Sequence, residues 1–88
     1  MTVLLPSGLG PFTGFGDADE RRVEVEAEDV AGVVRGLGER LPGLEGHLLD
    51  GAGALRPHLL CLVDGTATRD LATPVHDRVR FLTAVSGG

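Results

Sequence analysis

The chain contains no tryptophan and no tyrosine, and Phe12, Phe15 and Phe81 are its only aromatic residues. A core must therefore be assembled from Leu, Val and Ala. Cysteine occurs once, at Cys61, which excludes an internal disulfide and any metal site built from several thiolates. A single cysteine fits a reducing compartment, so the expected location is the cytoplasm. The longest apolar run, Leu59–Val63, is far too short to cross a bilayer. Met1 to Leu5 runs into Pro6 without the basic start or small-residue cleavage pattern of a secretory signal. Positive charge is scarce, with 8 Lys+Arg against 13 Asp+Glu and a formal net charge of −5. That balance disfavours nucleic acid and anionic membranes, whose binding rests on Lys and Arg neutralising phosphates. It suits a partner with a basic surface, because complementary charge speeds encounter.

Eighty-eight residues allow one small domain, 1–88. A domain of this size buries roughly 60% of its unfolded surface, so it has little room for both a core and a deep cleft. Thr2-Val3-Leu4-Leu5 reads as a short strand stopped by Pro6. Gly8 to Asp19, rich in Gly, Pro and Asp, reads as a wide loop. Arg22 to Glu26 alternates strictly, which predicts a half-buried strand with Val23 and Val25 inward.

Val30, Val33, Val34, Leu37 and Leu41 follow the 3.6-residue period and predict a helix over 30–41, with Asp29 as N-cap. Gly32, Gly36 and Gly38 each weaken that helix by about 1 kcal/mol relative to Ala, so packing must hold it. Pro42-Gly43 ends it. Leu44 to Leu49 suggests a further helical turn, and Gly51 to Ala54 a loop. His58 to Val63 is the most apolar strand candidate, followed by an Asp64-Gly65 turn and a short edge strand near Thr66 to Arg69. Val79 to Val85 is the last strand. One helix covers only one face of a sheet, so the order predicts an α+β fold, with the last strand beside the first as a parallel pair inside a mixed sheet.

The sequence then closes on Gly87-Gly88. Two residues without side chains can thread a slot that any Cβ would block. The expectation is an arm, 85–88, mobile in the free protein, that offers the Gly88 carboxylate to another protein and orders on binding.

In this order the chain resembles the ubiquitin-like β-grasp sulfur carriers of the MoaD/ThiS family. The residues that carry the resemblance are Val3-Leu4-Leu5, Leu60-Cys61-Leu62-Val63-Asp64-Gly65, Leu71-Ala72-Thr73-Pro74-Val75 and Asp77 to Gly88. Its length is closer to MoaD-like and CysO-like carriers than to the shorter ThiS type. His76-Asp77-Arg78 stands where the family often has Asp-Gly-Asp, and Thr83-Ala84 where it often has Pro-Pro. The resemblance implies a β-grasp mixed sheet with one main helix across one face. It implies a carrier and not an enzyme, with no bound cofactor. An ATP-dependent activating enzyme would adenylate Gly88, a sulfur donor would convert the acyl-adenylate to a thiocarboxylate, and a sulfur-accepting synthase would receive the sulfur for molybdopterin, thiazole, cysteine or a specialised metabolite. Gly87 would serve threading. The alternative is a ubiquitin-like protein modifier or a non-catalytic binding module.

Docking should fall on the sheet face away from the helix. Leu59 to Val63 is apolar throughout, yet only alternate side chains can face the helix. Leu60 and Leu62 must then occupy the open face or lie under a loop, and Leu82 joins them by its parity opposite to Phe81. Other signals carry less. His58 and Cys61 point to opposite faces of a strand and no second pair completes a metal set with them or with His47 and His76. Cys61, in an apolar strand, reads as a packed thiol and not a nucleophile. Asp17, Asp19 and Glu20 lack EF-hand spacing, and Gly8-Leu9-Gly10 and Gly14-Phe15-Gly16 lead into no helix.

Overall fold

The computed structural model describes residues 1–6 and 21–83; the wide loop expected over Gly8 to Asp19 and the arm 85–88 lie outside the described residues. The elements are β1 (Thr2–Leu5), β2 (Arg21–Glu24), α1 (Val30–Arg40), α2 (Glu45–Leu48), β3 (Leu59–Val63), β4 (Thr66–Thr68) and β5 (Arg78–Thr83). The five strands form one sheet in the order β2-β1-β5-β3-β4. β1 is antiparallel to β2 and parallel to β5, with Val3 opposite Val79. β5 is the central strand and runs antiparallel to β3, which forms an antiparallel hairpin with β4. The predicted α+β mixed sheet with a parallel inner pair is therefore observed.

α1 starts where Asp29 caps it. The Asp29 carboxylate accepts from the Gly32 N–H at 2.8 Å, satisfying a donor that the first turn leaves unmade. Two more of those donors are met from the 71–75 segment: Val30 N–H donates to Thr73 O at 3.1 Å and Ala31 N–H to Leu71 O at 2.9 Å. Val30, Val33, Val34 and Leu37 are buried against Val3, Leu5, Val79 and Phe81 of the sheet. Removing that apolar area from water is the main force holding a helix with three glycines in place. Gly36 permits the closest approach, because a Cβ there would lie 2.5 Å from Val25 Cγ1.

Three expectations shift in register. β2 ends at Glu24 and not Glu26; Val25 is still buried, with its N–H donating to Met1 O at 3.1 Å. β3 begins at Leu59, leaving His58 exposed in a turn. Leu41 is the C-cap of α1 and no longer helical (φ −129°, ψ 80°), so it leaves the apolar stripe and is only half-buried at the margin of the core. Residues of loops and of α2 complete the core instead: Leu44, Leu48, Leu55 and Val75 are all buried within it.

Candidate functional site

The β5 strand carries the site. Its alternation puts Val79 and Phe81 into the core and Arg78, Arg80 and Leu82 on the opposite face. In β3, Leu59, Cys61 and Val63 are buried toward α1 while Leu60 and Leu62 are half-buried on that same opposite face. The β3–β5 register sets Leu60 directly across from Leu82 and Leu62 across from Arg80. Leu60, Leu62 and Leu82 thus come together as one apolar strip on the face that, among the described residues, no helix covers. Leu4 joins this face. It pairs with Arg22 on one side and Arg80 on the other, and it is 7% exposed although it is not part of the helix-side core. Sequence reasoning misses its place because Val3, Leu4 and Leu5 are all apolar, so alternation gives no phase there.

The start of β5 is fixed by a side-chain clamp. Asp64 and Gly65 form the two-residue turn between β3 and β4, both with positive φ (48° and 88°). The Asp64 carboxylate accepts from the main-chain N–H of Arg78 at 3.0 Å and of Asp77 at 3.1 Å. These bonds, the Arg78 N–H first, hold its carboxyl below the usual carboxylate range. The hairpin turn is thereby tied to the entry of the central strand. At the other end β5 is described to Thr83, opposite Leu59. The sequence continues through Ala84, Val85 and Ser86 to Gly87 and Gly88, which lie outside the described residues.

The remaining candidates sit apart from this strip. Cys61 is buried among apolar side chains, and burial pushes its thiol up to about 11. Little thiolate is present in a thiol so placed at neutral pH, which fits a packing role. His47, His58 and His76 are exposed and scattered. Among the described residues, no group of three or more His, Cys, Asp or Glu is placed to hold a metal ion, and no helix is long and apolar enough to cross a membrane. A cleft between the exit of β2 and α1 is lined by Glu26, Glu28, Asp29, Arg35 and Glu39 around Gly32 and Gly36. It holds no serine, cysteine or histidine among the described residues, and it lies on the helix side, away from the Leu60–Leu82 strip.

Solved structures share this arrangement. CysO of Mycobacterium tuberculosis, described as an antigen, superposes with a TM-score of 0.79 at 27% identity, over 96% of this chain and 98% of that one. A chain of the Amycolatopsis orientalis BexX/CysO complex gives 0.74 at 22% identity over 98% and 99%. SAMP1 from Haloferax volcanii gives 0.64 at 23% identity over the whole of both chains. No protein-family model matches the chain, and no curated protein does. The last two structures speak for the fold alone, whereas the likeness to CysO extends to sequence. The resemblance read from the strand order, to the ubiquitin-like β-grasp sulfur carriers and in length to their CysO-like members, is borne out, and the chain is a β-grasp protein similar to CysO over nearly its full length.

Proposed function

We propose that this protein is a sulfur carrier whose reactive group is the Gly88 carboxylate. The observation that supports this best is the position of β5. The central strand of a CysO-like sheet leads within a few residues to Gly87-Gly88, so the rigid body and the narrow tail are joined at the strand with neighbours on both sides. The body recognises the partner and the tail supplies reach.

The chemistry asks little of the carrier. A carboxylate is a poor electrophile. Attack of a Gly88 carboxylate oxygen on the α-phosphorus of ATP forms the acyl-adenylate and releases pyrophosphate, both steps in the active site of a separate activating enzyme. Hydrosulfide supplied by a donor then adds through sulfur to the activated carbonyl, the C–O bond to AMP breaks, AMP leaves, and loss of the proton gives the thiocarboxylate. The thiocarboxylate is the stronger nucleophile and stays covalently attached until an acceptor synthase takes the sulfur. Gly87 keeps the tail narrow enough for a close-fitting channel. Leu60, Leu62 and Leu82 supply the docking contact, since they form a contiguous apolar strip on a sheet face that no described helix covers, and such strips mark interaction surfaces. No residue of the folded body has a chemical role in this reading; the activating and acceptor enzymes supply the catalysis.

Intact-mass measurement on protein purified from its native source tests the proposal. One oxygen replaced by sulfur at Gly88 is the expected result. An isopeptide-linked adduct in its place would make the protein a modifier, and an unaltered terminus under every growth condition would leave only a binding module.

A further inference from the structure

The β3–β4 hairpin holds β5 at both ends. At the entry, the Asp64 carboxylate takes the Arg78 and Asp77 N–H groups. At the far end the hold comes from Arg69, the residue directly after β4. Among the described residues β4 pairs with β3 only from Cys61 to Val63, so it stops short of Leu59. The Arg69 guanidinium takes over there. Its Nη1 donates to Leu59 O, and its Nη2 donates to Leu55 O at 2.8 Å and to Arg56 O at 3.3 Å. Arg56 O also accepts from the Leu59 N–H at 3.0 Å, which closes the turn through Pro57 and His58. A planar fork suits this task, because its donors keep fixed directions and so fix three carbonyls relative to one another. The Leu55 and Leu59 side chains are buried. The segment is therefore gripped from the core by its leucines and from the edge of the sheet by one side chain.

What the fork holds is the root of the tail. Leu59 stands directly across from Thr83, the last pair of the β3–β5 register. After Thr83 the sequence has only Ala84 to Gly88. Five residues span at most about 18 Å, whatever their conformation. A root that moves by one residue is a large error on so short a reach.

We propose that Arg69 is a positioning residue for adenylation, holding Leu59 and through it Thr83 so that the Gly88 carboxylate starts from a fixed point. This rests on the carrier reading and adds to it a residue of the body on which delivery depends. Without the fork the Leu55 and Leu59 carbonyls lose their charged donor, and the terminal Leu59–Thr83 pair opens more readily. The root then slips back toward Leu82. The carboxylate samples a larger volume and spends less time in line with the reacting phosphorus.

The test uses full-length Arg69→Met, which keeps an unbranched apolar stem and loses every donor. Amide hydrogen exchange at Leu60 and Leu82 should quicken about tenfold, with Val3 and Val79 unchanged. With the activating enzyme from the same source, at a temperature where every variant is folded, kcat for pyrophosphate release should fall about tenfold and KM should change about twofold or less. Arg69→Lys should recover part of the loss, since one ammonium can serve Leu59 O but not all three acceptors. Gly36→Ala, strained against Val25 on the helix side, is the control for lost stability and should keep the wild-type kcat. Unchanged exchange at Leu60 and Leu82 in Arg69→Met overturns the proposal, whatever the enzyme does. Faster exchange with wild-type kcat, or an equal fall of kcat in Gly36→Ala, assigns Arg69 to stability alone; either result overturns the proposal and leaves the carrier reading standing. Absence of pyrophosphate release with the wild-type chain defeats the carrier reading and the proposal together.

Discussion

Gly36 of α1 stands against Val25 so closely that a Cβ on the glycine would fall 2.5 Å from the valine Cγ1. In an exposed helix Gly→Ala gains about 1 kcal/mol. Here overpacking reverses the sign, and Gly36→Ala should cost about 1–3 kcal/mol by urea denaturation. Val25→Ala in the same chain should recover part of that loss. Gly46 is the control, because a methyl group there would meet nothing within 4 Å. Gly46→Ala should leave stability equal or slightly raised.

Phe81 and Leu82 are neighbours in β5 with opposite duties. Phe81 is 0% exposed and is among the largest fully buried side chains. Phe81→Ala should cost about 3–5 kcal/mol, enough to unfold much of a small domain. Leu82→Asp should leave the thermal transition in place and weaken binding to the activating enzyme. Unchanged affinity of a folded Leu82→Asp protein would remove the strip from the docking surface.

Deletion of Gly88, or addition of any residue after it, should abolish adenylation without lowering Tm. Gly87→Ala should reduce kcat for pyrophosphate release more than it weakens docking, because docking rests on the sheet. A chain lacking Gly88 that is adenylated at the intact rate would refute the carrier mechanism.

Asp64 links stability to acid. Its carboxyl is held below the unfolded value by the Arg78 and Asp77 N–H groups. A depressed folded pKa means that its contribution is fully present above the unfolded value of about 3.9 and fades as pH falls through the lower folded value. Asp64→Asn keeps an acceptor and tolerates the positive φ, yet cannot titrate. Its Tm should therefore fall less steeply than wild type as pH drops from about 5 to about 2. Equal slopes would show that the clamp contributes nothing to acid sensitivity.

Cys61 should be unreactive in the folded protein. With its thiol pushed up to about 11 and its side chain buried, iodoacetamide at neutral pH should label it only after denaturation. Rapid labelling of native protein would contradict the packing of β3 against α1.

Much of this architecture is legible in the sequence because periodicity reports burial directly. The 3.6-residue stripe from Val30 to Leu37 gives the helix face, and the alternation of β3 and β5 by itself assigns Leu60, Leu62 and Leu82 to the open face. Legibility fails where the chain stops repeating. Leu44, Leu48, Leu55 and Val75 enter the core from turns and a one-turn helix, where no period marks an inward side. Leu41 fits the stripe but falls at the cap, since Pro42-Gly43 ends the helix before that turn closes. The shared face of Arg22, Arg78 and Arg80 is hidden for another reason: they come from distant parts of the chain until the parallel β1–β5 pairing aligns them.

The position of β5 also decides how the fold bears load. A partner that draws on the chain beyond Thr83 pulls along the axis of the central strand. The hydrogen bonds to β1 and β3 run across that axis. They are stressed side by side, in shear, where an edge strand would be peeled away one bond at a time. Separation would require the ladders on both flanks to give at once, with Phe81 and Val79 leaving the core in the same event. On the carrier reading, this is what lets another protein grip and thread the tail while the body stays folded.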